Sequence, residues 1–225
     1  MKLKTINILA IFLIGSLSLS GQRDLESVIS EAQKPNPDIL YLANELQNVI
    51  DASSKREEKD RALDALINLY MKNMDSNAGR ILIPIENRIS SVDNPFERCR
   101  LLVLRGESLE ILSLKENSNQ LRSEAMAAYL EAYEVMLSYD ISNFDYESEQ
   151  KMIVELSSKK NDEVISMEEY LSAVKIFKEK TNLSPFLNQL VNKIKEMKLS
   201  QDELMIVKHS FPKLEEELTQ PKKSD

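Results

Sequence analysis

Residues 125–137, AMAAYLEAYEVML, decide the fold class of this chain. Ala125, Ala128, Tyr129 and Ala132 recur at intervals of three and four residues, so they fall on one stripe of an α-helix. Small side chains on such a stripe let a second helix approach closely, and the tyrosines fill the space beside it. The stretch therefore predicts a helix that packs against another helix.

The segment before this stretch supplies the partner helix. Leucines at 101, 102, 104, 109 and 112 give it an apolar face, and Gly106 lies where a side chain would hold two helix backbones apart. A glycine inside a helix costs about 1 kcal/mol relative to alanine, so its presence indicates close packing. We therefore expect a helical hairpin over residues 101–137.

This hairpin resembles a tetratricopeptide repeat. Ala125, Tyr129 and Ala132 match the second helix of that family, and Leu102, Gly106 and Leu109 stand at the corresponding places of its first helix. The chain departs from the family in a longer polar connection at residues 115–119. The resemblance implies antiparallel helical hairpins stacked as a tetratricopeptide-like solenoid. A compact multi-helix bundle is the alternative, because Ala-rich antiparallel helices also occur there.

In that family the first helix lines a concave surface that binds a protein partner. The matching positions here are Arg100, Val103, Glu107 and Glu110. They lack the Lys/Asn pattern with which some members hold the C-terminal carboxylate of a partner. The resemblance thus implies a partner-binding face on this helix, while the alternative interpretation of its charged residues is an ordinary solvated face.

Residues 1–20 have the build of a secretory signal peptide. Lys2 and Lys4 precede the apolar run Ile6 to Leu19, and Ser18-Leu19-Ser20 offers small residues where a signal peptidase cleaves. The apolar run is interrupted and falls short of the roughly 20 residues that span a bilayer. We therefore expect an exported protein, periplasmic or extracellular, with no stable membrane insertion after cleavage.

The remaining chain is predicted to be a single α-helical domain over residues 21–219, followed by a flexible tail at 220–225. Few glycines, no tryptophan and a recurrent helical spacing of apolar residues favour helices over strands. Capping residues predict helix starts at Asn36-Pro37, Ser54, Asn94-Pro95, Ser166, Ser184-Pro185 and Ser200. Asn73 to Gly79 is predicted to be a turn-rich joint, and Pro84 to kink or shorten its helix.

Charge and composition make several functions unfavourable. A formal net charge of −8 disfavours binding to nucleic acid. His209 is the single histidine and Cys99 the single cysteine, so neither a multi-histidine metal site nor a Cys-His zinc site forms within one chain. We expect Cys99 to be a buried core residue, and no catalytic, metal or cofactor site is predicted.

The first functional hypothesis is a non-enzymatic, exported helical-repeat protein that binds another protein. The second is a self-associating structural bundle of the cell envelope, in which exposed apolar residues such as Ile81, Ile83 and Phe144 close a homo-oligomer. The third is a hydrolase that uses carboxylates alone. An open polar groove favours the first, a two-fold apolar contact the second, and a deep pocket with two facing buried acids the third.

Overall fold

The computed structural model describes residues 23–161, 165–197 and 199–219. The predicted signal peptide and the predicted tail lie outside these residues. Within them the chain is helical and contains no strand, so the predicted all-α class is confirmed.

Ten α-helices follow one another along the described residues. They are α1 Leu25–Ala32, α2 Ile39–Ala52, α3 Arg56–Met71, α4 Met74–Ser91, α5 Pro95–Glu116, α6 Asn119–Ser138, α7 Tyr146–Asn161, α8 Met167–Glu196, α9 Gln201–Ser210 and α10 Pro212–Thr219. A short 3-10 helix, Ile141–Asn143, lies between α6 and α7. The chain divides into two compact units between Arg88 and Ile89, within α4.

The core of the first unit forms where α1, α2 and α3 pack together. Its buried side chains recur at helical spacing on each helix: Leu25, Val28 and Ala32 on α1, Leu42, Leu46 and Val49 on α2, and Ala62, Leu66 and Leu69 on α3. Only residues 53–55 separate α2 from α3, and the two helices pack against each other as a helical hairpin. Arg88 of α4 reaches α3, where its Nε lies 2.9 Å from Asp64 Oδ1.

Two predicted helix starts in this unit are wrong. The N-cap of α2 is Asp38, whose Oδ1 accepts a hydrogen bond from the Tyr41 amide at 3.1 Å, so the helix begins after Asn36-Pro37. At α3 the N-cap position is Lys55 rather than Ser54. The hydroxyl of Ser53 accepts from the Lys55 amide and donates to Glu58, and these bonds hold the turn in place of the expected capping box.

The prolines interrupt the chain less than their positions predict. Helix α4 begins at Met74 and continues through Pro84, so the predicted joint to Gly79 is wrong. Likewise α8 continues through Pro185, where the sequence predicts a new helix. A proline removes one helical hydrogen bond, and in both helices large apolar side chains are buried on either side of it, Ile81 and Ile85 in α4 and Leu183 and Leu190 in α8.

Other predicted caps are confirmed. Asn94 caps α5 by accepting from the Glu97 amide at 3.0 Å, with Pro95 in the first turn. Complete capping boxes open α8, from Ser166 with Glu169, and α9, from Ser200 with Glu203. These local signals succeed because all the groups involved lie within four consecutive residues.

The second unit is built around the predicted hairpin of α5 and α6. Tyr129 of α6 is fully buried, and its ring lies against Gly106 of α5. A Cβ on residue 106 would lie 2.7 Å from Cδ1 and 2.8 Å from Cζ of that ring, and closer still to Cε1. Helix α8 packs against both helices of the hairpin, and α10 packs against α8. One turn further along α6 the rings of Tyr133 and Phe211 meet edge to face, with centroids 5.7 Å apart.

We expect Gly106→Ala to lower the free energy of unfolding by about 1–2 kcal/mol, because forcing a methyl group against a fully buried ring exceeds the helix propensity that alanine adds. Urea denaturation followed by circular dichroism measures the change. The matched control is Gly79→Ala, at an exposed position inside α4, which should raise stability by up to about 1 kcal/mol. Equal stabilisation by both substitutions would contradict the close contact.

Candidate functional site

The four predicted partner-binding positions lie on one face of α5, since they are spaced by three, four and three residues. Arg100 is exposed and its guanidinium lies 3.9 Å from Glu97 on the same helix. Val103 is half-buried. At the first half of this face, Arg100 is therefore exposed to solvent and Val103 is partly exposed.

The second half of the face is engaged within the molecule. Glu107 Oε1 lies 3.3 Å from Nζ of Lys193 on α8. The hydroxyl of Tyr129 donates a hydrogen bond to Glu110 Oε2 at 3.0 Å. Burial raises the pKa of Tyr129 above its ordinary value, and the negative charge of Glu110 raises it further. Glu107 and Glu110 thus connect α5 to α8 and α6.

A groove that the sequence does not predict opens between the start of α6 and the start of α9. It has a volume of about 640 Å³. Its lining combines apolar side chains, Met126, Ala127, Leu130 and Ile206, with polar ones, Asn119, Arg122, Ser123, Ser200, Asp202 and Glu203. Within the first unit a smaller groove of about 270 Å³ lies between α1 and α3.

Arg122 bridges the two helices that border the α6–α9 groove. Its Nη1 donates to both carboxylate oxygens of Glu203, at 3.1 and 3.2 Å, and its Nη2 donates to the carbonyl of Met197. Both side chains are largely buried. Glu203 also accepts a hydrogen bond from the Ser200 amide at 2.8 Å. The guanidinium is thus held in place by α9 and the residue that follows α8.

The environment of Glu203 favours its charged form. Burial acts to raise the pKa of this carboxyl, but the amide and hydroxyl of Ser200 and the guanidinium of Arg122 outweigh burial. The pKa of Glu203 therefore lies below its ordinary value of 4.5. The sequence gives a partial signal for this site, since Ser200 and Glu203 predict the helix start, whereas nothing local indicates Arg122.

The single cysteine and histidine are placed apart from this groove. Cys99 is buried as predicted, with Sγ 4.0 Å from the carbonyl oxygen of Ala132, and burial raises the pKa of its thiol to about 12. His209 is exposed near the end of α9. In the part of the chain that the structure describes, no group of three or more His, Cys, Asp and Glu side chains could hold a metal ion.

The apolar residues expected to close a homo-oligomer do not form one exposed set. Ile81 is fully buried, which corrects that expectation. Phe144 is half-buried, and its ring meets those of Tyr146 and Phe177 at centroid distances of 6.5 and 6.2 Å. Ile83 alone of the three is largely exposed, at 67%.

Comparison with known proteins returned no relative: neither a family model nor a curated protein nor a solved structure matches this chain. A search of the described helices for one long and apolar enough to cross a membrane also found none.

We expect Glu203→Gln to lower the melting temperature at neutral pH, corresponding to about 1 kcal/mol, because the substitution removes the charge that Arg122 binds. A carboxyl whose pKa is lowered by folding stabilises the protein above its unfolded pKa, and this contribution is lost as the pH falls through the folded pKa. The difference between the two proteins should therefore shrink below about pH 4.5 and vanish at more acidic pH.

Thermal unfolding of both proteins between about pH 3 and pH 7 measures this difference. The control is Asp202→Asn, one residue earlier on the same helical turn, where the structure places an exposed side chain. It should change the melting temperature less at neutral pH. A destabilisation by Glu203→Gln that is the same at every pH would show that the charge of Glu203 is not its cause.

Proposed function

We propose that this chain is an exported, non-enzymatic helical protein that binds a segment of another protein in the α6–α9 groove. The observation that carries the proposal is the groove itself. Its volume of about 640 Å³ lies within the range of roughly 300–1,000 Å³ that is typical of binding sites. The export part rests on the signal-peptide pattern of residues 1–20.

The lining of the groove fits a peptide segment. Leu130 and Ile206 offer apolar surface to side chains of a partner, while Asn119 and Ser123 offer hydrogen-bonding groups to its backbone. Ala127 is exposed and small, so a partner backbone can approach α6 closely at this position. A site with an apolar floor and a few placed polar groups is the usual arrangement for specific binding.

The Arg122–Glu203 pair orders one wall of the groove before a partner binds. It fixes one wall through two hydrogen bonds to a carboxylate and one to a main-chain carbonyl. Side chains that are ordered before binding lose less conformational entropy when a partner arrives. The groove is therefore a preformed site rather than one that the partner must shape.

In the same proposal, the exposed part of the α5 face is a second region that contacts the partner. Arg100 and Val103 begin it, and Leu114, on the same stripe one turn beyond Glu110, is 79% exposed. An exposed leucine beside charged groups is a common feature of a protein-binding surface. The proposed tetratricopeptide-like stacking of the hairpins gives this face the partner-binding role that the resemblance implies.

We expect Ala127→Phe to abolish capture of the partner, because the larger ring fills the groove without entering the core. The tagged chain from residue 21 is incubated with an envelope extract of the source organism, and captured proteins are identified by mass spectrometry. Arg100→Glu should weaken capture of the same protein if the α5 face also contributes.

The matched control for this experiment is Ala52→Phe, at an exposed alanine that ends α2 in the first unit. It should capture the partner as well as the unmodified chain does. If Ala127→Phe and Ala52→Phe retain the same proteins in the same amounts, the groove is not the binding site. Circular dichroism of all variants confirms that helical content is unchanged.

A further inference from the structure

The two helices that border the α6–α9 groove are joined at both ends by side-chain contacts. At one end Arg122 binds the carboxylate of Glu203, and at the other the rings of Tyr133 and Phe211 meet with centroids 5.7 Å apart. Because the earlier residue of α6 contacts the start of α9 and the later one the residue after it, the helices run in the same direction. At 1.5 Å per residue, Arg122 and Tyr133 lie about 16 Å apart along α6.

Both walls of the groove are helices, and this limits the conformation of a bound segment. Away from the helix ends, the main-chain groups of α6 and α9 are bonded within each helix. Neither wall therefore offers the row of free N–H and C=O groups to which an extended segment adds as a strand. A helical segment bonds its own main chain and needs only side-chain contacts along the groove. Three turns of helix are about 16 Å long, which matches the span between the two contacts.

The lining suits the apolar face of such a helix. Met126 and Leu130 are four residues apart and line the α6 side, and Ile206, 56% exposed, lines the α9 side. Asn119 and Ser123 lie at the start of α6. There their side chains meet one end of a bound helix, where main-chain groups have no partner within the helix.

The charges on the facing sides of the groove select a basic segment. Asp202 lines the groove in the first turn of α9 and is exposed. Glu134, also exposed, lies four residues after Leu130 on the same side of α6. Among the residues that the structure describes, none forms an ion pair with either carboxylate. Arg122, the cation of the lining, is already bound by Glu203. The groove therefore offers negative charge to an occupant.

Glu134 is the more informative of the two acids. An acid in the first turn of a helix is favoured by the helix dipole, so Asp202 also stabilises α9. Glu134 gains nothing from this effect, because it lies towards the C-terminal end of α6. A cation on a bound segment would give Glu134 the partner that the described chain does not provide.

We propose that the occupant of the α6–α9 groove is a basic amphipathic helix of about three turns. Its apolar side chains lie between Leu130 and Ile206, and one of its Lys or Arg side chains pairs with Glu134. This inference rests on the function proposed above and names the class of segment that the groove takes. The formal net charge of −8 acts in the same direction, since an acidic chain attracts a basic partner.

Three fluorescent, capped peptides of about 14 residues test the proposal. All three have leucines at spacings of three and four residues. The first has lysines at the flanking positions, the second has glutamates there, and the third is the lysine peptide with a central proline, which disrupts the helix. Fluorescence anisotropy at about 0.15 M salt measures binding to the chain from residue 21.

The lysine peptide should bind saturably, with a Kd of about 100 µM or tighter. The glutamate peptide should bind at least about tenfold more weakly, because it meets like charges. The proline peptide should not bind. Circular dichroism should show that the lysine peptide gains helix when the chain is added.

Substitutions in the chain locate the contact. Glu134→Lys should weaken binding of the lysine peptide about fivefold and strengthen binding of the glutamate peptide, since the charge is reversed on an exposed pair. The matched control is Glu155→Lys, at an exposed position of α7, which changes the net charge equally and should leave both affinities unchanged. Ala127→Phe should abolish binding, because its ring fills the groove.

Two outcomes overturn this inference and leave the proposed function standing. One is equal binding of the lysine and glutamate peptides that Ala127→Phe abolishes, which shows a groove without charge selection. The other is equal binding of the lysine and proline peptides, which shows an occupant that is not helical. Failure of the unmodified chain to bind any peptide also overturns it, while capture of a partner from the extract tests the proposed function separately. Peptide binding that persists in Ala127→Phe overturns it as well, because the contact then lies outside the groove.

Discussion

The contact between Gly106 and Tyr129 is the constraint on which the second unit depends. Because residue 106 has no Cβ, α5 and α6 approach until the ring of Tyr129 lies across α5 and is fully buried. From that position the tyrosine hydroxyl reaches Glu110, one helical turn further along α5. The same register places Arg122 two turns before Tyr129 on α6, at the edge of the groove. The position of Arg122 at the α6–α9 groove therefore depends on the close contact between α5 and α6.

Sequence reasoning found this contact because its cause is local to two short stretches. A stripe of alanines on one helix and a glycine inside the next are each visible at helical spacing, and together they indicate close approach. The capping boxes at Ser166 and Ser200 could also be predicted, because each is formed by residues close together in the sequence. Asn36 and Ser54 show the limit of this method, because neighbouring residues provide the contacts instead. Asp38 caps α2 by accepting from the Tyr41 amide, and Ser53 accepts from the Lys55 amide in the turn before α3. Pro84 does not end its helix and Pro185 does not begin a new one, because burial of neighbouring side chains, a tertiary effect, stabilises each helix through the proline. Local sequence signals of this kind do not determine how many domains the chain forms or whether its hairpins stack as a solenoid.

The candidate site was less predictable for a physical reason. The Arg122–Glu203 pair joins residues that are 81 positions apart in the chain. A charged pair has no sequence period, so only the fold brings its members together. In contrast, the four positions of the α5 face follow from the resemblance and from helical spacing, and all four lie within one helix of the structure. What spacing could not indicate is that Lys193 and Tyr129 engage Glu107 and Glu110. Because these two contacts engage Glu107 and Glu110, Arg100 and Val103 are the positions of this face without a contact to another helix described above.

The charges of Arg122 and Glu203, which border the α6–α9 groove, are satisfied within the molecule. At the α6–α9 groove the guanidinium of Arg122 is already bound by Glu203 and a main-chain carbonyl, so an occupant gains apolar contacts and hydrogen bonds without neutralising that pair. The binding proposed for this groove therefore depends on its shape and on its apolar and hydrogen-bonding groups rather than on an unpaired charge at Arg122.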